Sequence, residues 1–143
     1  MKKLLALLLA LVMALSMTAC VQDEITPETT ASTEATIPAD GSELGEGATT
    51  FTFEVVMKDE TKYTYTIHTD KEILGEVLLD LGLVSGEQGD YGLYVTSVLG
   101  VALDYSADGY WWSLTVNGES ATTGADGVTI EEGGTYAFVA TPA

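Results

Sequence analysis

The chain has 143 residues, of which 22 are acidic and 5 are basic, and its formal net charge at neutral pH is −17. This charge argues against nucleic acid or an anionic membrane surface as a binding partner. The only cysteine is Cys20, so the chain has neither an internal disulfide nor a cluster of thiolates around a metal. The fold must therefore depend on a hydrophobic core.

The first twenty residues have the order of a secretory signal peptide. Lys2 and Lys3 precede an uninterrupted apolar run at 4–15, which is shorter than the roughly 20 residues that a transmembrane helix needs. Residues 17–20 read Met-Thr-Ala-Cys, which resembles the lipobox of bacterial lipoproteins. We expect cleavage before Cys20, lipidation (for example with palmitate), and a location on the extracytoplasmic face of a Gram-positive-type cell membrane. An ordinary secretory signal or an uncleaved anchor is the alternative.

Residues 21–50 form a second compositional segment, rich in threonine, glutamate, alanine, serine and glycine and without an apolar period. Such a segment cannot bury enough apolar surface to offset the loss of chain entropy, so we predict a disordered linker. About 30 flexible residues span roughly 30 Å. The protein is therefore expected to contact the membrane only through its lipid anchor.

Residues 51–143 suffice for one small hydrophobic core. Alternating apolar and polar residues predict strands at 51–57 and 61–68, joined as a hairpin by a polar turn. In the second strand one face collects the large side chains of Tyr63, Tyr65 and Ile67.

A helical period follows the hairpin. Thr69 and Glu72 have the spacing of a capping box, with Thr69 as the N-cap. The apolar residues that follow at helical spacing are Ile73, Leu74, Val77, Leu78 and Leu81. Gly82 is predicted to end the helix. Gly75 lies inside it, where glycine is about 1 kcal/mol less favourable than alanine, so we expect close packing against the sheet there.

Turn residues divide the rest of the domain into short segments. A polar loop is predicted at 85–90. Strands are predicted at 91–98, 101–105, 110–116, 119–123, 128–130 and 135–140. The order of two strands, one helix and several strands predicts an α+β domain, with a β-grasp-like mixed sheet and one helix packed across it.

The chain has few groups suited to catalysis. His68 is the only histidine, which leaves no Ser/His/Asp triad and no histidine-rich metal site. Asp104 and Asp108 lack the spacing of a calcium loop and are predicted to form a turn. We therefore expect a protein that is not an enzyme, requires no cofactor or metal, and is a monomer.

Two adjacent tryptophans stand in the predicted strand at 110–116. Neighbouring side chains of a strand point to opposite faces. One face is wholly apolar and carries Trp112, which is predicted to lie in the core. The other carries Trp111 with Ser113 and Thr115, so Trp111 is predicted to be exposed. Packing of Trp111 against the helix or a long loop is the alternative.

Four motifs in order resemble the transcobalamin-like C-terminal domain family, a bacterial surface domain of unknown function. They are Y-G-L-Y-V-T-S-V-x-G at 91–100, Y-W-W-x-L-x-V-N-G at 110–118, A-T-T-G-A-D-G-V at 121–128 and G-G-T-Y-A-F at 133–138. That domain is similar to the small C-terminal domain of transcobalamin and intrinsic factor, animal carriers of vitamin B12. The resemblance implies a β-grasp fold and the binding of a small soluble ligand, for which a corrinoid such as cobalamin is the first candidate.

Strand parity, the aromatic cluster and the resemblance together indicate a ligand-binding surface. Its predicted residues are Trp111, Ser113, Thr115, Asn117, Thr122, Thr123 and Asp126. For Asn117, with the glycine that follows it, a purely structural role in a hairpin turn is the favoured interpretation. The alternative function is a tethered interaction module that binds a surface protein or a wall glycan.

Overall fold

The computed structural model describes residues 36–143. The predicted signal peptide, Cys20 and residues 21–35 of the predicted linker lie outside the described residues. The described strands are β1 (Glu43–Gly45), β2 (Thr49–Val56), β3 (Lys62–Thr69), β4 (Val84–Gly89), β5 (Gly92–Val98), β6 (Val101–Ala102), β7 (Tyr110–Val116), β8 (Glu119–Ser120) and β9 (Thr135–Pro142). The helices are α1 (Leu74–Asp80) and α2 (Tyr105–Asp108), and a 3-10 turn follows at Ala125–Gly127.

The strands form two sheets, one of six strands in the order β1-β3-β2-β9-β7-β8 and one of three in the order β4-β5-β6. In the larger sheet β2 pairs antiparallel with β3 and parallel with β9, while β9 pairs antiparallel with β7. The first hairpin and the last strand thus meet in the middle of a mixed sheet. This arrangement confirms the predicted α+β, β-grasp-like class.

The core lies between the larger sheet, α1 and the inner face of the smaller sheet. Strand alternation buries Phe51, Phe53 and Val55 of β2, and Tyr65 and Ile67 of β3, in agreement with the predicted faces. The α1 side chains that join this cluster are Leu74, Val77 and Leu78. One amphipathic helix therefore covers the sheet, as its apolar period predicts.

Helix α1 begins later than predicted, and the capping box does not form. Thr69 is the last residue of β3, and its hydroxyl accepts a hydrogen bond from the Lys71 N–H at 3.0 Å rather than from the helix. Ile73 is the N-cap and has no side-chain cap bond. Strand pairing with Thr49 holds the Thr69 backbone in the sheet, which overrides the local capping signal.

The end of α1 agrees with the sequence. Gly82 has φ +69°, a conformation that glycine adopts without strain. The Gly82 N–H donates to the Leu79 carbonyl at 3.0 Å, and the Leu83 N–H donates to the Leu78 carbonyl at 2.9 Å. These two bonds form a Schellman motif, with the buried Leu78 and Leu83 at its apolar contact positions.

Gly75 is a point of close approach, but its neighbour is not the sheet. A Cβ at this position would lie 2.8 Å from the Asp126 nitrogen and 3.0 Å from the Ala125 carbonyl carbon. Glycine therefore lets α1 contact the backbone of the 3-10 turn directly. Gly75 is closely packed as predicted, but its neighbour is the 3-10 turn and not the sheet.

The smaller sheet contains the main departures from the predicted elements. Residues 85–90, predicted as a polar loop, mostly form β4, which pairs antiparallel with β5 despite exposing all but its first residue. The strand predicted at 101–105 is shorter, because Asp104 accepts hydrogen bonds from the Ser106 and Ala107 N–H groups and starts α2. A turn was predicted at Asp104, and the structure has a helix of one turn there, which Asp104 caps.

Residues 36–50, the second part of the predicted linker, pack against the domain and form hydrogen bonds with it. Ile37 packs against the core, and the Pro38 carbonyl accepts a hydrogen bond from the Tyr65 hydroxyl at 3.0 Å. β1 then pairs in parallel with β3. The boundary predicted at residue 50 is therefore wrong for this part, because backbone pairing orders a segment that has little apolar content.

Candidate functional site

The two tryptophans of β7 lie on opposite faces. Trp112 is 4% exposed and joins the core, as parity predicts. Its indole Nε1 donates to the Val101 carbonyl at 3.0 Å, so this ring connects the larger sheet to β6 of the smaller one. Trp111 is half-buried, which makes it less exposed than predicted.

Strand β7 is paired along its whole length on only one side. β9 pairs with every residue from Tyr110 to Val116. On the other side, β8 pairs with Thr115 and Val116 alone, and the Ala121 N–H adds one bond to the Leu114 carbonyl at 2.9 Å. The chain then leaves β7, because the Gly124 N–H donates to the Tyr91 carbonyl at 3.0 Å.

This divergence opens a cleft between the two sheets. The cleft has a volume of about 570 Å³, within the roughly 300–1,000 Å³ of small-molecule sites. Leu93 and Val95 of β5 form one wall, residues 111–114 of β7 form the other, and the segment 120–125 bridges them. We call this space the β5–β7 cleft.

Aromatic rings surround the cleft, and its charge is negative. Tyr91 is 88% exposed, Tyr94 is 47% exposed, and both line the cleft together with Trp111. Asp90 is the only charged residue in the lining. Large exposed rings of this kind are enriched at contact sites.

The lysines of the described residues are all engaged elsewhere. Lys58 lies over the Tyr110 ring, 5.4 Å from its centroid, and 3.9 Å from an Asp108 carboxylate oxygen. Lys62 forms an ion pair with Glu54 at 2.9 Å, and Lys71 forms one with Asp80. Within residues 36–143, no lysine or arginine is therefore placed to attract an anionic ligand into the cleft.

Asp126 fastens the bridging segment to the wall of the cleft. Its carboxylate accepts hydrogen bonds from the Gln88 side chain at 2.8 Å and from the Leu93 N–H at 2.7 Å. The hydrogen bond from Gln88 makes the largest contribution to lowering the pKa of Asp126, and the bond from the Leu93 N–H lowers it further. Both bonds favour the charged carboxylate. A Cβ on Gly92 would lie 2.3 Å from the same carboxylate, so glycine is required there. Asp126 thus joins β4, β5 and the 3-10 turn.

Four of the predicted site residues line the cleft, namely Trp111, Ser113, Thr122 and Thr123. The other three lie outside it. Thr115 is paired between β8 and β9. Asn117 has φ +51° in the hairpin turn, and its Oδ1 accepts a hydrogen bond from the Thr135 N–H at 2.9 Å. Asp126 holds the bridging segment to β4 and β5 through its hydrogen bonds with the Gln88 side chain and the Leu93 N–H, and we call these two bonds the Asp126 clamp.

The sequence-based site omitted the β5 wall. Tyr91 and Tyr94 were visible as part of an aromatic cluster, and Leu93 and Val95 as alternating apolar residues of a predicted strand. Their position opposite β7 depends on how a second sheet packs on the first, and no local pattern specifies that packing.

Other polar groups lie away from the cleft. His68 is half-buried on β3, with its Nδ1 3.2 Å from the Thr50 hydroxyl and its Nε2 3.6 Å from a Glu43 carboxylate oxygen. Within residues 36–143, no group of three or more His, Cys, Asp or Glu side chains is arranged to hold a metal ion. None of the helices in this part of the chain is long and apolar enough to span a membrane.

Comparison with known proteins places the chain among relatives of undefined role. A family model described as a domain of unknown function (DUF4430) matches residues 71–137. A crystal structure from Ruminococcus gnavus ATCC 29149, described as a candidate metal binding protein, is 33% identical with a TM-score of 0.63. The match covers 67% of this chain and 99% of that protein. The chain belongs to the family of this Ruminococcus gnavus protein.

A second solved structure shares the fold of this chain. Haptocorrin, solved in complex with Cbi, matches 66% of this chain with a TM-score of 0.51 and 16% identity. The matched region is 25% of haptocorrin, so the chain spans about a quarter of that protein. This likeness shows the transcobalamin-like fold that the sequence motifs implied. No curated protein matches the chain.

Proposed function

We propose that this protein is a non-catalytic binding protein whose β5–β7 cleft captures a small neutral or cationic ligand with a flat apolar face. The observation that supports this most is the cleft itself: a concave space of about 570 Å³ rimmed by Tyr91, Tyr94 and Trp111 and free of lysine. Pockets with a few convergent polar groups among apolar and aromatic walls are the usual form of small-molecule sites.

A corrinoid is the first ligand to test. Haptocorrin was solved in complex with Cbi. The sequence motifs resemble the transcobalamin-like C-terminal domain family, and membership of this family is part of the proposal. In this proposal the Trp111 ring is a flat platform for the ligand. The hydroxyls of Ser113, Thr122 and Thr123 orient its polar groups.

The test is the melting temperature with and without cyanocobalamin. A ligand at 100 times its Kd stabilises the folded state by about 2.7 kcal/mol, so the melting temperature should rise by several degrees. Trp111→Ala should abolish the rise. Tyr105→Ala is the matched control, because Tyr105 is an aromatic residue 58% exposed and outside the cleft, and it should leave the rise intact. An equal rise in both variants would contradict the proposed site.

We also propose that the protein acts at the outer face of the cell membrane, held by a lipid on Cys20. The lipobox-like sequence at 17–20 supports this. Cys20→Ala should release the protein from the membrane fraction or leave it unprocessed. A mature protein that carries no acyl chain would contradict the proposal.

A further inference from the structure

On β7, the main-chain N–H and C=O of Trp112 face the cleft. In antiparallel pairs, residues that exchange both main-chain hydrogen bonds alternate with residues that exchange none. The Asn117 N–H donates to the Thr135 carbonyl at 2.7 Å, and the Ala143 N–H donates to the Gly109 carbonyl at 2.9 Å. In the observed register, the odd-numbered residues of β7 therefore bond to β9. The N–H and C=O of Trp112 point the other way.

On that other side, the strand that would have paired with Trp112 is missing. The register of β8 would place Thr123 opposite Trp112, but the chain turns away towards β5 after Ala121. Among residues 36–143, no group forms a hydrogen bond with the Trp112 main-chain N–H or C=O. Trp112 is only 4% exposed. A main-chain N–H and C=O that lack a partner are unfavourable when they are shielded from water, and such groups are nearly always paired in native proteins.

The β5–β7 cleft runs along this same edge. Its β7 wall consists of four consecutive residues, 111–114, whose side chains point to both faces of the sheet. A cleft that contacts both faces of a strand lies beside the edge of that strand. The edge left unpaired by β8, residues 110–113, is about 13 Å long at 3.3 Å per residue. Its length and hydrogen-bonding groups fit an extended peptide, which binds such edges by adding a strand.

The charge of the cleft indicates which side chains a bound peptide should carry. Asp90 lies in its lining, Glu119 stands on the adjoining β8, and the described residues place no lysine there. We propose that an extended basic segment of another protein, without acidic side chains, pairs with β7 at Trp112 as an added strand. Its main-chain N–H and C=O would satisfy those of Trp112, and its basic side chains would lie near the carboxylates.

The proposal is tested by measuring the exchange rates of amide hydrogens by NMR in the ¹⁵N-labelled protein. The probe is a synthetic peptide of alternating threonine and valine flanked by lysines, acetylated and amidated at its ends. In the free protein the Trp112 amide should exchange faster than those of Trp111 and Ser113, which bond to β9. Saturating peptide should slow the Trp112 amide about tenfold, as one added hydrogen bond would, and leave the other two unchanged.

Two matched peptides complete the experiment. Glutamates in place of the lysines should weaken binding. A fully N-methylated peptide cannot donate to the Trp112 C=O, and its methyl groups prevent close strand pairing, so it should not protect the Trp112 amide. The inference is overturned if the Trp112 amide is as protected as its neighbours in the free protein, or if the parent peptide leaves its exchange unchanged. Cyanocobalamin binding is measured separately, so a failure there with Trp112 protected by the peptide contradicts only the proposed ligand.

Discussion

The two sheets of the domain are stabilised in different ways. In the six-stranded sheet, Phe53 lies between Tyr65 and Phe138, with both ring centroids at 6.3 Å, and all three side chains are buried. In the three-stranded sheet, β4 exposes five of its six residues and is held by backbone pairing and by the Asp126 clamp. Binding surfaces commonly come from the less stable parts of a fold. The β7 wall of the cleft thus belongs to a sheet with a buried aromatic cluster, whereas the β5 wall belongs to a sheet whose outer strand is held by backbone pairing and by the Asp126 clamp.

Trp112 lies in the large sheet and is hydrogen-bonded to the small one, so its removal should have the largest effect on stability. Trp112→Ala deletes a core indole and its hydrogen bond to Val101, and it should lower the free energy of unfolding by about 3–5 kcal/mol. Urea denaturation measures this change. Trp111→Ala is the matched control and should cost less than half as much, because Trp111 is only half-buried. The reverse order would show that the assignment of the two faces is wrong.

The Asp126 clamp should show a smaller effect that depends on pH. Asp126→Ala leaves the buried Leu93 N–H without its acceptor, which should cost about 1–2 kcal/mol at neutral pH. Since the pKa of Asp126 is lowered in the folded state, its stabilising contribution is present above the unfolded pKa of about 3.9. It is lost as pH falls through the lower folded value.

Urea denaturation from pH 7 to pH 3 tests this expectation. The difference in unfolding free energy between the wild type and Asp126→Ala should shrink in the acidic range. Asp126→Asn keeps an acceptor for the Leu93 N–H but carries no charge. Its free energy of unfolding at neutral pH should therefore fall by less than that of Asp126→Ala. A difference that stays constant with pH would contradict a role for the Asp126 charge.

The two sheets also differ in how far the sequence predicted them. Alternation in β2, β3 and β7 predicted strands and buried faces, because burial of one face imposes a period of two. β4, with its Ser-Gly-Glu-Gln-Gly sequence, has no buried face beyond Val84, so its composition indicated a loop. The backbone bonds to β5 that make it a strand leave no mark in the side-chain pattern.

The candidate site likewise contains residues that the sequence predicted and residues that it did not. Trp111 and Ser113 followed from strand parity, and Thr122 and Thr123 from the motif that follows the hairpin. The wall at Leu93 and Val95 required knowledge of how two sheets meet, which depends on a close approach at Gly124 and on the Asp126 clamp. Long-range packing of this kind cannot be deduced from local periodicity.

The most direct test of the account is an NMR titration of the ¹⁵N-labelled protein with cyanocobalamin. If the β5–β7 cleft binds the ligand, chemical shifts should change in Tyr91, Tyr94, Trp111 and Thr122, and the signals of the β2–β3 hairpin of the large sheet should stay unchanged. Saturable changes centred on that hairpin, or none at the cleft residues, would contradict the claim that the space between the two sheets is the binding site.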